Sequence, residues 1–417
     1  MAYDEPGYRR RDTDSTDPDG YGTSDDSEYG YRTGRRGIST AELDDVFDDP
    51  AHGEPGRDRI GVHLAWEALL LLAVGVVAFL LYSEDPAALR DTEFTTLLVG
   101  ATALGLLALG AGLSMRAAVP NLAVGPVAVA AALHFAENGD RGLVPAMLPA
   151  TLFTVGLGLA VAVLVVGLHV PSWAATLAAA LGTIVFVQQR TAPVAVQGEF
   201  DPKRSALYLF GGFAAVAVLS GLFGTIKPLR RAIGRFRPTG DPARRRGGPA
   251  GLFATLAIIG SMVLAMLAGV LIAANGTGPV VPEPGLEWTG LAIGAALVGG
   301  TSAFGRRGGI FGTLLAVVLL TLFVRYAEYK NWHIALGAIA AVTVAGGLVV
   351  TRLVETLGRP RAARAGRYEE WQPDPDPVDG SGWSGGRTGG TNSWPTMPTQ
   401  PSEARADPWN DRWGTDR

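Results

Sequence analysis

The residues that come nearest to a recognisable chemical motif lie at 297–315 and read LVGGTSAFGRRGGIFGTLL. A phosphate cradle needs GxxxxGK[ST], because backbone amides hold the phosphates, a Lys reaches the outer ones and a hydroxyl holds magnesium. Gly300 and Gly305 keep the glycine spacing, but Arg306 and Arg307 stand at the Lys and Ser/Thr positions. The nucleotide reading is therefore weak, and the alternative is a tight turn between two buried helices. Other reactive groups are sparse. There is no cysteine, which excludes disulfides, thiol catalysis and cysteine metal sites. His63, His134, His169 and His333 are scattered near the ends of apolar runs, with no HExxH and no GxSxG with plausible partners, so neither a metal centre nor a hydrolase is expected.

Ionisable groups inside apolar runs are costly in a membrane and mark proton relays and ion pathways. Glu67, near the start of the first run, is expected to reach the interface or pair with a neighbour. So few buried acids argue against an ion-coupled secondary transporter. Polar atoms of another kind stand out. Asn121 in VPNLAVGPVAVAAAL and Thr176 in VPSWAATLAAALGTIVF each follow a Pro at the start of a short apolar run. That pattern fits a helix that breaks and offers backbone groups to a pathway, and equally a polar residue satisfied in a helix cap. Gly156, Gly158, Gly211, Gly212, Gly346 and Gly347 read as sites of close helix packing.

These residues sit in elements that composition places in a bilayer. From about residue 63 to 354 the chain is a series of Ala-, Leu-, Val- and Gly-rich runs. Several are long enough to cross a hydrocarbon core of about 30 Å at about 1.5 Å per residue. The expected class is an all-α polytopic membrane protein, with about ten spans near 62–82, 95–115, 118–135, 146–168, 172–188, 205–224, 251–274, 288–304, 309–326 and 333–353. Those at 118–135, 172–188 and 288–304 are short and interrupted, so any of them could be broken or re-entrant. The first run starts well inside the chain, unlike a cleaved signal peptide.

Charge sets the orientation, since cytoplasmic loops carry excess Lys and Arg. With ten spans and both termini in the cytoplasm, the inner segments hold Arg57, Arg59, Arg116, the arginines of the 226–248 loop, Arg306, Arg307 and Arg352, while acids such as Glu84, Asp91, Glu93, Glu137 and Glu283 face outward. Residues 1–58 are acidic and lack apolar periodicity, and residues 357–417 are Pro/Gly-rich with Trp371, Trp383, Trp394, Trp409 and Trp413. Both flanks read as disordered tails around a membrane domain at 59–356. The loop IKPLRRAIGRFRPTGDPARRRGG at 226–248 would by charge alone bind anionic lipid headgroups.

The arrangement resembles the permease subunits of ribose-type and branched-chain-amino-acid-type ABC importers. GLAIGAALVGGTSAFGRRGGIFGTLLAVVLL at 290–320 is similar to the family's Gly-Gly-Thr-Ser, glycine-rich turn and apolar helix. NLAVGPVAVAAAL from Asn121 resembles its Asp-Leu-Ser-Val-Gly helix, with Asn121 in place of Asp, and VPSWAATLAAALGTIVF resembles its Pro-Pro-Phe-x-x-Thr-Leu segment. Ala232-Ile233-Gly234 and Gly240-Asp241-Pro242-Ala243 echo the cytoplasmic Ala-Ile-Gly-Gly-Asn-Pro element that contacts the ATPase.

The resemblance implies a transport subunit, not an enzyme, in a bacterial plasma membrane, moving a sugar, nucleoside or amino acid. It implies a solute pathway near Asn121, Gly125, Thr176, Thr301 and Ser302. The implied coupling loop contains Arg230, Arg231, Gly234, Gly240, Asp241, Arg244, Arg245 and Arg246. The implied partners are a cytoplasmic ATPase subunit, an extracytoplasmic solute-binding protein, a second permease subunit and membrane lipid, with no nucleic acid. No cofactor is expected in this chain, ATP being bound by the partner. The alternative is a non-transporting membrane scaffold that keeps a permease-like fold and recruits partners through its tails.

Overall fold

The computed structural model describes residues 60–223, 247–302 and 309–358, all within one compact unit. Both expected tails therefore lie almost wholly outside the described residues. Ten α-helices lie within them: α1 (Ile60–Glu84), α2 (Asp91–Arg116), α3 (Val124–Asn138), α4 (Leu143–Ala162), α5 (Ser172–Gln188), α6 (Ala206–Phe223), α7 (Gly247–Asn275), α8 (Leu286–Val298), α9 (Gly312–Tyr329) and α10 (Leu336–Gly358). A π-turn at Val163–Gly167 extends α4. No strand occurs among the described residues, where Val194 and Val280 form an isolated antiparallel bridge.

Each of the ten apolar runs becomes one helix, but they are of two kinds. Seven stretches, among them Gly61–Glu84, Asp91–Arg116, Leu143–Gly167 and Ala250–Asn275, are long and apolar enough to cross a membrane. The other three helices, α3, α5 and α8, reach only about 20–25 Å at the usual rise. Of these, α3 and α8 are each preceded by irregular chain, at 117–123 and 276–285, while α5 is continuous from its Pro171 cap.

Side-chain contacts define two ends of the bundle. At one, Glu84 meets Lys330, Glu93 meets Arg325, Glu137 meets Arg190 and Asn275 donates to the Thr96 carbonyl. At the other, Arg116 donates to the Ser220 carbonyl and Trp66 to the Val298 carbonyl. The first helix starts and the last one ends at this Arg116 end, which is what an even number of traversals requires. Tyr82, Tyr208, Tyr329 and Trp332 are exposed near the Glu84 end and Trp173 near the other, as amphipathic rings at membrane interfaces would be.

The centre is made by α2 and α7, whose apolar windows are 72% and 61% buried against 17–39% for the other five long stretches. Small residues permit the approach. A Cβ on Gly269 of α7 would lie 2.0 Å from the Ala128 carbonyl oxygen of α3, so only glycine fits there. Gly158 and Gly347 also pack tightly, against Ile259 and against Leu297 and Val298. Gly156, Gly211, Gly212 and Gly346 depart from the packing expectation, since none of the described residues lies within 4 Å of a Cβ built on them. A glycine in an apolar run shows that close packing is permitted, while the face it occupies depends on where the neighbouring helices lie.

The packing repeats with inverted direction. α3 packs on α7 and α8 on α2; α4 packs on α7 and α9 on α2; α5 packs on α3 and α10 on α8. Thus α2–α5 and α7–α10 are related by an approximate two-fold relation, with α3 running toward the Glu84 end and α8 toward the Arg116 end. α1 and α6 depart from it: α1 lies on α9 and α10, and α6 on α2 and α9.

Candidate functional site

The two short helices begin where they meet. α2 ends at Arg116, and Ala118 takes a left-handed φ of 57° that turns the chain back into the bundle. The segment 117–123 then runs without helical structure until α3 starts at Val124. Its buried backbone must find partners other than a helix ladder, and neighbouring side chains supply them. Asn121, 1% exposed, is the centre of that network. Its backbone N–H donates to Ser114 Oγ at 3.3 Å, its Nδ2 donates to Ser261 Oγ at 2.8 Å, and its Oδ1 accepts from the Ala123 N–H at 2.9 Å. Ser114 and Ser261 in turn donate to their own helices, at the Ala111 and Ile258 carbonyls. Asn121 thereby ties the broken segment to both central helices.

Thr176 completes the same seam from α5. Its hydroxyl, fully buried, lies 2.8 Å from the Ser172 carbonyl and 3.1 Å from the Pro120 carbonyl. The two candidate residues read from the sequence thus meet across one backbone segment. For Asn121 the expectation of a broken helix holds; for Thr176 it fails, because α5 starts at Ser172 and continues unbroken past it. Its proline caps an ordinary helix start.

Gly125 marks the crossing of the two helix starts. Its N–H donates to Thr289 Oγ1 at 3.0 Å, and the Thr289 hydroxyl donates to the Leu122 carbonyl at 3.2 Å. A Cβ on Gly125 would fall 2.0 Å from the Gly285 carbonyl oxygen, and Gly285 itself has a φ of 75°. The N-terminal turns of α3 and α8 therefore pass in direct backbone contact. Each carries a partial positive charge from its unpaired N–H groups, and the shared Thr289 hydroxyl satisfies one of them.

Thr301 and Ser302 lie elsewhere, in the turn that follows α8 at the Arg116 end, and both are buried. Gly300, with a φ of 84°, makes that turn, and Gly312 abuts the Gly299 carbonyl so closely that a Cβ would sit 2.0 Å from it. The glycines of the 297–315 stretch thus shape a helix-to-helix connection as far as it is described. Arg306 and Arg307 are outside the described residues. So are Arg230, Arg231, Gly234, Gly240, Asp241, Arg244, Arg245 and Arg246 of the expected coupling loop.

Two residues of this region, Ser261 and Thr289, escaped the sequence reading, while Glu67 was expected to pair with a neighbour but not with a helix start. Thr289 had a signal. Aligned on their prolines, PNLAVGPVAVAAAL at 120–133 and PGLEWTGLAIGAAL at 284–297 share Pro at 120 and 284, Leu at 122 and 286, Ala at 128 and 292, 131 and 295, and 132 and 296, and Leu at 133 and 297. That offset pairs position 125 with position 289, the two residues joined by the 164-residue-spanning hydrogen bond. Glu67, 5% exposed, pairs with backbone at the start of α9: its Oε1 accepts from the N–H groups of Phe311 at 2.9 Å and Gly312 at 3.2 Å. A carboxylate suits that position because it satisfies unpaired donors and faces the positive end of the helix.

Among the described residues no group of His, Asp and Glu is gathered to hold a metal. The seam offers neutral donors and acceptors: one amide, four hydroxyls and two helix starts. That chemistry suits uncharged polar groups such as hydroxyls, or a modest negative charge at the helix N-termini.

Comparison with known proteins gives one local match. Over 63 residues the chain is 46% identical to the probable ABC transporter permease protein YphD of Escherichia coli (strain K12), a stretch that is 15% of this chain and 18% of that protein. No protein-family model matches the chain, and no solved structure matches it. The long apolar helices support a multi-pass membrane protein, and the similarity to an ABC permease is confined to one short segment that is 18% of that protein.

Proposed function

We propose that this chain is the membrane-spanning permease subunit of an ABC importer for a small polar solute, such as a sugar, nucleoside or amino acid. The observation that carries the reading is the meeting of two broken helices at the buried Asn121–Thr289 seam, in a chain locally similar to an ABC permease. Broken helices at bilayer depth are tolerated where they line a solute path, since their free backbone groups can bind what passes.

In this reading the Arg116 end is cytoplasmic, in a bacterial plasma membrane, with both termini on that side. A separate ATPase subunit binds and hydrolyses ATP and acts through the 226–248 loop. A second permease subunit completes the pore, and an extracytoplasmic binding protein delivers the solute to the Glu84 end. Every polar atom of Asn121 and Thr289 named above is satisfied within the chain, so the solute replaces internal partners only when α3 and α8 separate. Alternating access is then an exchange between two packings of the inverted halves.

The test is affinity purification of the tagged full-length chain in mild detergent, with mass spectrometry of co-purifying proteins and an ATPase assay. An ATPase subunit with vanadate-sensitive turnover supports the importer reading. A preparation with neither supports the membrane-scaffold alternative.

A further inference from the structure

The segment 194–200, between α5 and α6, lies across the Glu84 end of the seam. Val194 pairs with Val280 through two backbone hydrogen bonds, 2.9 Å from the Val194 N–H and 2.8 Å from the Val280 N–H. With Trp288, both valines pack on Val129, Ala130 and Leu133 of α3 and Val187 of α5. Val129 is also the side chain nearest Gly285, next to the Gly125 crossing. The pair therefore covers the polar seam from that end.

The two sides of the bridge are anchored differently. Segment 194–200 is fixed to α3: the Gln197 N–H donates to the Ala136 carbonyl at 3.0 Å, and Phe200 meets Phe135 edge-on at 5.9 Å. Gly198, with a φ of 90°, approaches Gly139 so closely that a Cβ would sit 2.3 Å from its carbonyl oxygen. Val280, by contrast, belongs to segment 276–285, which leads directly into α8. The bridge thus joins the first inverted half to the second, directly above the place where their broken helices touch.

We propose that segment 194–200 is a strap that closes the seam, and that its pairing with Val280 is the bond pair that breaks when the seam opens to the Glu84 end. This rests on the permease reading for its purpose, though its geometry stands apart from it. Two backbone hydrogen bonds between partly buried residues hold the bridge, a contact small enough to open locally without unfolding either half. Release would carry Val280 and α8 away from α3 and bare Gly125, Thr289 and Val129.

The chain contains no cysteine, so the strap can be locked selectively. A directly opposed, doubly bonded antiparallel pair has Cα atoms about 5.5 Å apart, within disulfide range. The experiment uses the full-length V129C/V194C/V280C protein in detergent, oxidised or reduced, pulsed with a water-soluble maleimide; peptide mass spectrometry identifies the 194–280 disulfide and measures the adduct at position 129, and only molecules in which residue 129 carries no disulfide are scored. V129C alone, with its native bridge, serves as the reference. The expected result is labelling at the reference rate when reduced, and slower by about tenfold or more when the disulfide forms, as for a site reached only through local opening. Equal rates in the two states, absence of labelling in the reference, or failure of the disulfide to form would each overturn the strap. No solute or ATPase enters the assay, so loss of the importer reading would appear as a missing ATPase partner while the labelling contrast persisted.

Discussion

The hydroxyl of Thr289 accepts the Gly125 N–H at 3.0 Å and so joins the starts of two helices that run in opposite directions. Replacing Thr289 by Val keeps the shape and removes both of its hydrogen bonds, leaving the Gly125 N–H and the Leu122 carbonyl unpaired in a buried site. A loss of about 1–3 kcal/mol is expected, read as a lower unfolding midpoint in detergent. Ser at this position keeps the hydroxyl and should retain most of the stability.

Close packing at glycine is confined to particular helix faces. G269A places a methyl group 2.0 Å from the Ala128 carbonyl oxygen and should shift α3 against α7, lowering expression and unfolding temperature sharply. G211A meets none of the described residues within 4 Å and should be neutral, or stabilising by up to about 1 kcal/mol through the lower entropy cost of Ala in a helix. Equal behaviour of the two variants would contradict the packing described.

Glu67 acts as an acceptor at the start of α9. E67A should cost about 1–3 kcal/mol because the buried Phe311 and Gly312 N–H groups lose their partner. E67Q retains an acceptor oxygen and should recover most of that loss, losing chiefly the interaction of the charge with the helix dipole. If E67Q were as unstable as E67A, the charge itself would be the requirement.

The Glu137–Arg190 pair lies at the ends of α3 and α5, outside the seven long spans. Hydrogen bonds from Arg190 hold the Glu137 carboxyl below its ordinary value of 4.5. A depressed folded-state pKa stabilises the fold above the ordinary value, and that contribution disappears as pH falls through the depressed one. The wild-type protein should therefore lose stability as the pH drops below 4.5, and R190A should lose less over the same acid window, measured by unfolding midpoints. With both side chains partly exposed, the effect should be small and reduced by salt.

Reversal of charge in the basic loop tests coupling. In the importer reading, R244E/R245E/R246E should leave membrane insertion intact and abolish ATPase co-purification and uptake. Unchanged co-purification would remove the coupling role of these arginines.

The ten helices were legible in the sequence because a bilayer imposes a length and an apolar composition on each, and both are local properties. That α3 and α8 are short was legible too, since the runs at 118–135 and 288–304 fall short of a span and are interrupted by Gly or polar residues; the run at 172–188 carried the same signal and is one continuous helix. Asn121 announced itself as a polar residue just after Pro120, whereas the same reading of Thr176 after Pro171 failed because α5 is an ordinary helix from Ser172 onward. Tertiary structure decided everything that depends on which face meets which neighbour. It separated Gly269 from Gly211, paired Glu67 with the start of α9 across the chain, and brought Thr289 from the second inverted half to Gly125 in the first. Those outcomes escape linear reading because hydrocarbon solvates every face of an apolar helix almost equally, so its pattern of hydrophobic residues no longer marks an inside. What selects the inner face is steric fit and the pairing of polar atoms that lipid cannot satisfy, and both arise only when the helices meet.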